Sequence, residues 1–201
     1  MRIFGLTGGI ASGKSVVLGV FREEGLATVD ADELSREVVR SGAEGLAAIV
    51  DAFGPGMLGD EGELDRRRLA ELVFVDADAR RRLNAIIHPR VAEASHARFA
   101  AFEAQGATLG CYDAALLVET GLAEAFRPLV VVAAPRTLQR ARLIARDRLS
   151  PEEADARLDA QAPLERKLAA ADVVVWNDAD LETARARARD ALQAIRTRLG
   201  V

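Results

Sequence analysis

Gly8-Gly9-Ile10-Ala11-Ser12-Gly13-Lys14-Ser15 matches the pattern G-x-x-x-x-G-K-[ST] without deviation. An apolar run, Arg2 to Thr7, precedes it, and a helical pattern follows from Val16 to Glu24. A strand, a glycine-rich turn and a helix in this order let main-chain N–H groups and the positive end of the helix surround a phosphate. The motif therefore predicts nucleoside triphosphate binding, with Lys14 reaching the β- and γ-phosphates and the Ser15 hydroxyl ligating Mg²⁺.

Short apolar runs recur along the chain and predict strands at 2–7, 26–30, 107–112, 129–134 and 173–176. Strands separated by helical stretches imply parallel βαβ units, and ligands bind beyond the carboxyl ends of such strands. Asp30, Asp113 and Asn177 follow three of these runs, where a site is expected. The sequence thus predicts an α/β fold, the three-layer fold of P-loop NTPases with a five-stranded parallel sheet.

The middle of the chain lacks strand signals and reads as helices, with Pro89 marking a break between helices at 76–87 and 91–105. A basic helix at 136–148 and two short helices follow the fourth strand. The patterns thus divide the chain into sheet-forming regions at 1–40, 106–135 and 171–201, a helical insertion at 41–105 and a further helical segment at 136–170.

Composition limits the partners. A net charge of −4 argues against a dedicated nucleic-acid binder. Two histidines and one cysteine leave no His/Cys zinc site of ordinary spacing, and Cys111 is expected to be a buried, inert thiol. The longest apolar run, 129–134, is far shorter than the ~20 residues of a membrane helix. We expect a soluble cytoplasmic protein, a monomer or weak homo-oligomer, with a small-molecule substrate and neither a nucleic-acid nor a membrane partner.

Three classes of phosphate-loop protein are possible interpretations of this sequence: a GTPase, a motor or helicase, and a small-molecule kinase. GTPases carry N-K-x-D for guanine, and neither of the two lysines, Lys14 and Lys167, follows an asparagine. Motor and helicase domains are larger than this short, acidic chain. A small kinase needs a phosphate loop, an acceptor-binding insertion and an arginine-bearing lid, and the sequence offers all three. Another small kinase, for a nucleoside, nucleotide or small alcohol, and a nucleotide-binding module without turnover remain as alternatives.

The chain resembles the dephospho-CoA kinases over essentially its whole length. The motifs that carry the resemblance occur in order: 6–15, Asp30-Ala31-Asp32, Leu83-Asn84 with His88-Pro89, Leu116-Leu117-Val118-Glu119 after Asp113, Arg142 with Arg146-Asp147, Gln161 with Lys167, and Ala171-Asp172 with Asn177. It departs from the family pattern at Ala11, Ala115 and Ala179, where Gly, Pro and Gly respectively are common.

The resemblance implies ATP-dependent phosphorylation of the ribose 3′-hydroxyl of dephospho-CoA to CoA and ADP, the final step of coenzyme A biosynthesis, with Mg²⁺ as metal. It also implies a single kinase domain over 1–201, with a nucleotide core at 1–40, 106–135 and 171–201, a helical acceptor-binding insertion at 41–105 and a helical lid at 136–170. The candidate catalytic residues are Asp32, Lys14 and Arg142. ATP is expected at Gly9, Ile10, Ala11, Ser12, Gly13, Lys14, Ser15, Val16, Arg146 and Asn177, and Mg²⁺ at Ser15 and Asp113. Within the ATP site, Asn177 is expected to contact adenine. The acceptor is expected at Asp32, His88, Leu116 and Lys167.

Each of these side chains also has a purely structural interpretation. Asp32 could be the N-cap of a helix that begins near Glu33, and Asp113 a turn residue. Arg142 and Arg146, four residues apart on one helix face, could clamp phosphates or form a solvated basic face. Lys167 could be a surface lysine. Trp176, beside Asn177, is expected in the core.

Overall fold

The computed structural model describes all 201 residues, Met1–Val201, as two compact units. One unit comprises residues 1–30 and 102–201, and holds the sheet together with the predicted lid. The other comprises residues 31–101 and is helical. The helical unit therefore starts at residue 31 rather than at the predicted residue 41, because the helix after the second strand belongs to it.

The α/β unit contains β1 (Arg2–Gly8), α1 (Lys14–Glu23), β2 (Ala27–Asp30), β3 (Leu109–Asp113), β4 (Leu129–Ala133), α6 (Arg136–Asp147), α7 (Pro151–Asp159), α8 (Leu164–Ala170), β5 (Val173–Trp176) and α9 (Leu181–Leu199). The helical unit contains α2 (Ala31–Glu37), α3 (Glu44–Phe53), α4 (Arg66–Val75) and α5 (Ala77–Ala104) as far as residue 101. None of these helices combines the length and the apolar character that crossing a membrane requires.

The five strands form one parallel sheet in the order β2-β3-β1-β4-β5, as the sequence predicts. Each predicted strand lies within two residues of an observed one. The register places Leu6 of β1 and Asp30 of β2 on either side of Asp113 in β3. The ends of β1, β2 and β3 thus meet at one edge of the sheet, next to the loop that follows β1.

Aliphatic side chains fill the core between the sheet and the helices α1 and α9. Phe4, Val132 and Ile195 are each fully buried there. Cys111 lies in the same core, and burial raises the pKa of its thiol well above the ordinary value, in agreement with an inert cysteine. Trp176 is 37% exposed, so its predicted core position is wrong. It lies on the edge strand β5, where a side chain has no neighbouring strand on its outer side.

The helical unit packs around Ile49, Leu69 and Leu83. Here the predicted break at Pro89 is wrong, because α5 continues through the proline as one helix of 28 residues. A proline removes one helical hydrogen bond. Pro89 lies on the exposed side of α5, where water can bind the carbonyl of Ala85 that the proline leaves without a helical partner. The next carbonyl, that of Ile86, also accepts from the Arg90 guanidinium at 2.7 Å.

Candidate active site

The loop Gly9–Gly13 leads from β1 directly into α1. Two of its residues have left-handed backbone, Ala11 with φ 56° and Gly13 with φ 90°. At Gly13 only glycine fits, because a Cβ there would collide with the side-chain amide of Asn177. The conformation turns successive main-chain N–H groups towards one side, which is how such loops bind phosphate.

An open cavity of about 760 Å³ lies over this loop and is large enough for a nucleotide. Residues from the phosphate loop and its flanking elements, the segment after β3, α6 and the segment after α7 line it: Gly8, Gly9, Ile10, Ala11, Ser12, Gly13, Lys14, Ser15, Ala115, Arg142, Ala145, Arg146 and Gln161. The structure thus brings together most of the residues that the sequence assigns to ATP. The donors in the cavity are main-chain N–H groups, one ammonium and two guanidinium groups, and these suit a polyphosphate.

The Lys14 ammonium lies 2.6 Å from Asp113 Oδ1 at the end of β3. Asp113 is 1% exposed, so the lysine balances a buried carboxylate at the edge of the cavity. The exposed Ser15 lies beside it in the first turn of α1. No group of three or more His, Cys, Asp or Glu side chains is placed to hold a metal. Ser15 and Asp113 do suit Mg²⁺, which is typically held by one or two protein ligands together with substrate phosphates and water.

Arg142 and Arg146 both face the cavity from α6. The Arg142 guanidinium donates to Asn177 O at 3.1 Å and to Ala11 O at 3.5 Å. Arg146 forms two hydrogen bonds with its neighbour Asp147, and they raise the pKa of the guanidinium. The two arginines therefore place two guanidinium groups beside the cavity.

Asn177 stabilises the loop itself. Its side chain is 7% exposed, and its Nδ2 donates to Ser12 O at 2.8 Å. The amide is thus buried against the phosphate loop, while contact with adenine stays a prediction. In this structure, therefore, the Asn177 side chain supports the phosphate loop.

Two glutamines that the sequence analysis did not select also reach the loop. Gln139 Nε2 donates to Ile10 O at 2.8 Å, and Gln161 Oε1 accepts from Ile10 N at 2.7 Å. They lie 129 and 151 residues from Ile10 along the chain, so no local pattern signals them. The only signal in the sequence is that Gln161 belongs to the motifs of the resemblance.

Lys167 is not at the surface: it is 1% exposed, and its ammonium lies 2.5 Å from Glu119 Oε1. The surface interpretation is therefore wrong. Glu119 Oε1 also accepts from the Ala162 N–H at 3.1 Å. This pair ties α8 and the segment before it to the segment that follows β3.

The predicted acceptor residues lie in different parts of the fold. Asp32 is in the first turn of α2, which begins at Ala31, so the predicted N-cap position is wrong. An acidic residue is a common occupant of the first turn of a helix. His88 is exposed on α5 of the helical unit. Leu116 is 45% exposed in the α/β unit, just after β3.

Comparisons of sequence and of structure with known proteins point to the same family over most of the chain. The sequence pattern of the dephospho-CoA kinase family matches residues 2–183. A dephospho-CoA kinase of Anaeromyxobacter dehalogenans is 50% identical over 177 residues, which are 88% of this chain and 84% of the relative. A crystal structure from Thermus thermophilus superposes with a TM-score of 0.85 at 34% identity, covering 96% of both chains.

A dephospho-CoA kinase from Campylobacter jejuni superposes with a TM-score of 0.70 at 28% identity, again over 96% of both chains. The likeness spans the phosphate loop, the helical unit and the lid segment in one continuous match. With a family pattern over most of the sequence and relatives this similar, the chain belongs to the dephospho-CoA kinase family.

Proposed function

We propose that this chain transfers the γ-phosphoryl group of ATP to the ribose 3′-hydroxyl of dephospho-CoA, giving CoA and ADP. Membership of the family supports the reaction and the acceptor. The observation that carries it on the chain's own residues is the open cavity over Gly8–Ser15, which Arg142 and Arg146 of α6 also line. Phosphoryl transfer requires positioning and charge neutralisation more than covalent chemistry, and this cavity supplies both.

ATP is held by the phosphate loop in this proposal. Main-chain N–H groups within residues 9–16 bind the phosphate oxygens, apart from that of Ile10, which Gln161 holds. The Lys14 ammonium exchanges its contact with Asp113 for the β- and γ-phosphates. Arg142 and Arg146 bind phosphate oxygens from α6, with guanidinium groups whose planar donors pair with two oxygens at once. Their charge counters the negative charge that moves with the phosphoryl group. Asn177 holds the loop and lies next to the expected adenine position.

Mg²⁺ would be held by the Ser15 hydroxyl and, through water, by Asp113. It would supply positive charge that reduces the repulsion between the phosphate oxygens and the attacking hydroxyl. It would also compensate the buried Asp113 carboxylate when Lys14 turns to the phosphates.

On the acceptor side, Asp32 is the proposed base that orients and deprotonates the 3′-hydroxyl. A carboxylate in this role needs to accept one proton within hydrogen-bond reach of the acceptor. His88 and Leu116 are proposed to contact dephospho-CoA. For Lys167 the ion pair with Glu119 favours an indirect role, in which it fixes the segment that carries Leu116.

The test follows ADP release by the purified chain with ATP, Mg²⁺ and one acceptor at a time. Dephospho-CoA is expected to support turnover, whereas adenosine, AMP and shikimate are not. The Lys14→Ala protein serves as the blank, because it keeps the fold of the acceptor side but loses the phosphate contact. Turnover with a different acceptor would replace the assignment by another small kinase. ATP binding without turnover on any acceptor would favour a non-catalytic nucleotide-binding module.

A further inference from the structure

Both main-chain polar groups of Ile10, the third residue of the loop motif, are bound by side chains of the lid segment. Gln161 accepts from its N–H at 2.7 Å, and Gln139 donates to its carbonyl at 2.8 Å. Ile10 and Ala11 also pack on the apolar cluster that Leu143, Ala154 and Leu158 form in the lid segment. One stretch of the phosphate loop is therefore held from the lid side by two hydrogen bonds and an apolar contact.

The site is shaped for these two amides. Gln139 is 8% exposed, so its amide is buried against the loop. A Cβ at Gly9 would come within 2.6 Å of Gln139 Nε2, and glycine there leaves the room that the amide occupies. The next residue, Ala11, has the left-handed backbone with φ 56° that an alanine adopts only at a cost. A strained conformation persists where its surroundings hold it.

The contact with Gln139 has a direct consequence for phosphate binding. In a trans peptide the carbonyl and the following N–H point in opposite directions. Because the Ile10 carbonyl is turned towards Gln139, the Ala11 N–H on the same peptide group points away from α6. Gln161 fixes the preceding peptide group in the same manner through the Ile10 N–H. Together they set the direction of two successive N–H groups of the loop.

We propose that Gln139 and Gln161 are positioning residues that hold the peptide groups on both sides of Ile10, so that the Ala11 N–H stays available to the nucleotide phosphates. The proposal rests on the nucleotide site of the proposed function, and is independent of which acceptor is phosphorylated. Gln161 is itself held in place, because the next residue, Ala162, donates its N–H to Glu119, the partner of Lys167. A loop fixed before the nucleotide arrives loses less freedom on binding.

The first test compares ADP affinity in the wild type and in Gln139→Met and Gln161→Met, by calorimetry in the absence of any acceptor. Methionine keeps the length of the side chain but has no amide. Each variant is expected to bind ADP about tenfold more weakly, since a partly buried main-chain group loses its partner. The KM for dephospho-CoA should stay unchanged. Wild-type affinity for ADP in both variants would overturn the proposal.

Gln139→Glu separates positioning from simple packing. At neutral pH its carboxylate has no proton to donate to the Ile10 carbonyl, and ADP binding is expected to be as weak as in Gln139→Met or weaker. As the pH falls and the carboxyl is protonated, its O–H can donate again. Gln139→Glu should then bind ADP more tightly than Gln139→Met measured at the same pH. Equal affinities of the two variants throughout the acid range would contradict a role for the donor.

Hydrogen exchange of the wild-type chain requires no substitution and covers the case in which a variant fails to fold. Without nucleotide, the Ile10 N–H is expected to exchange slowly because Gln161 holds it. Rapid exchange of this amide in the folded protein would overturn the assignment of Gln161. Since ADP binding and exchange are measured without an acceptor, a failure here differs from a failure to phosphorylate dephospho-CoA.

Discussion

Ala11 is the residue at which the phosphate loop carries backbone strain. Its φ of 56° is left-handed, and the family pattern often has glycine at this position. The residue packs on the lid cluster around Leu143, so the methyl group has a place in the fold. Strain at a single loop residue is therefore compatible with a working site, provided that neighbours hold the conformation.

Ala11→Gly is expected to leave the protein equally stable or make it more stable. The left-handed backbone costs an alanine about 1–2 kcal/mol, whereas glycine loses roughly 0.5–1 kcal/mol more in backbone entropy on folding. The free energy of unfolding should thus stay the same or rise by up to about 1.5 kcal/mol. Urea denaturation measures it, with Ala11→Val as the matched contrast, since a β-branched side chain should destabilise the same backbone. Clear destabilisation by Ala11→Gly would refute the account of strain.

At the scale of elements, α8 is joined to the segment after β3 by the buried pair of Lys167 and Glu119. The ammonium is 2.5 Å from one carboxylate oxygen and 3.4 Å from Ala115 O. Since Ala115 lines the nucleotide cavity, the pair connects α8 to one wall of that cavity. Breaking a buried pair leaves the second charge without compensation.

Lys167→Met should therefore destabilise the chain by about 3 kcal/mol, because the partly buried Glu119 side chain loses the ammonium that pairs with it. The double variant Lys167→Met with Glu119→Gln should recover part of that loss, since both charges are gone. Chemical denaturation of the single and double variants gives the coupling between them. If Lys167→Met alone is as stable as the wild type, the pair does not hold these elements together.

Asp172 anchors the turn between α8 and β5. Its Oδ2 accepts from the Leu129 N–H and from the Arg127 guanidinium, each at 2.8 Å. Partial burial alone would raise the pKa of this carboxyl, but the two hydrogen bonds outweigh it and hold the pKa below its usual 3.8. The ionised form is thus more stable in the folded chain than in the unfolded one.

Asp172→Asn is expected to cost about 1 kcal/mol of unfolding free energy at neutral pH. A lowered pKa adds stability above the ordinary pKa of an aspartate, and this stability is lost as the pH falls through the folded-state value. The difference between the variant and the wild type should consequently shrink below about pH 4. Thermal unfolding from pH 7 to pH 3 measures it. A difference that stays constant over this range would show that ionisation of Asp172 plays no part.

For the whole molecule, the fold follows from patterns that are local in sequence. Glycine spacing at 8–13 places the loop, and short apolar runs place five strands within two residues. The error at Pro89 arose because a proline in a long helix can be tolerated on its exposed side, and periodicity carries no such information. Trp176 was misplaced because the sequence does not reveal that β5 lies at the sheet edge.

Some residues of the candidate site were predictable from local sequence signals, and others were not. Lys14, Ser15 and Asp113 were predictable, since a motif and a strand end mark them. Gln139 and Glu119 were not, because their partners are distant in sequence and contacts of this kind leave no periodic signature. Long-range side-chain contacts support the site, and only the folded chain displays them.

The central claim is that this chain phosphorylates the 3′-hydroxyl of dephospho-CoA with Asp32 as the base. Phosphorus NMR of the product formed from ATP and dephospho-CoA tests it most directly. We predict one new 3′-phosphomonoester signal in step with ADP, nearly abolished in Asp32→Asn and retained in Glu33→Gln, which changes the neighbouring acid of the same helical turn. ADP formed without that signal would contradict the claim, as would an Asp32→Asn protein as fast as the wild type.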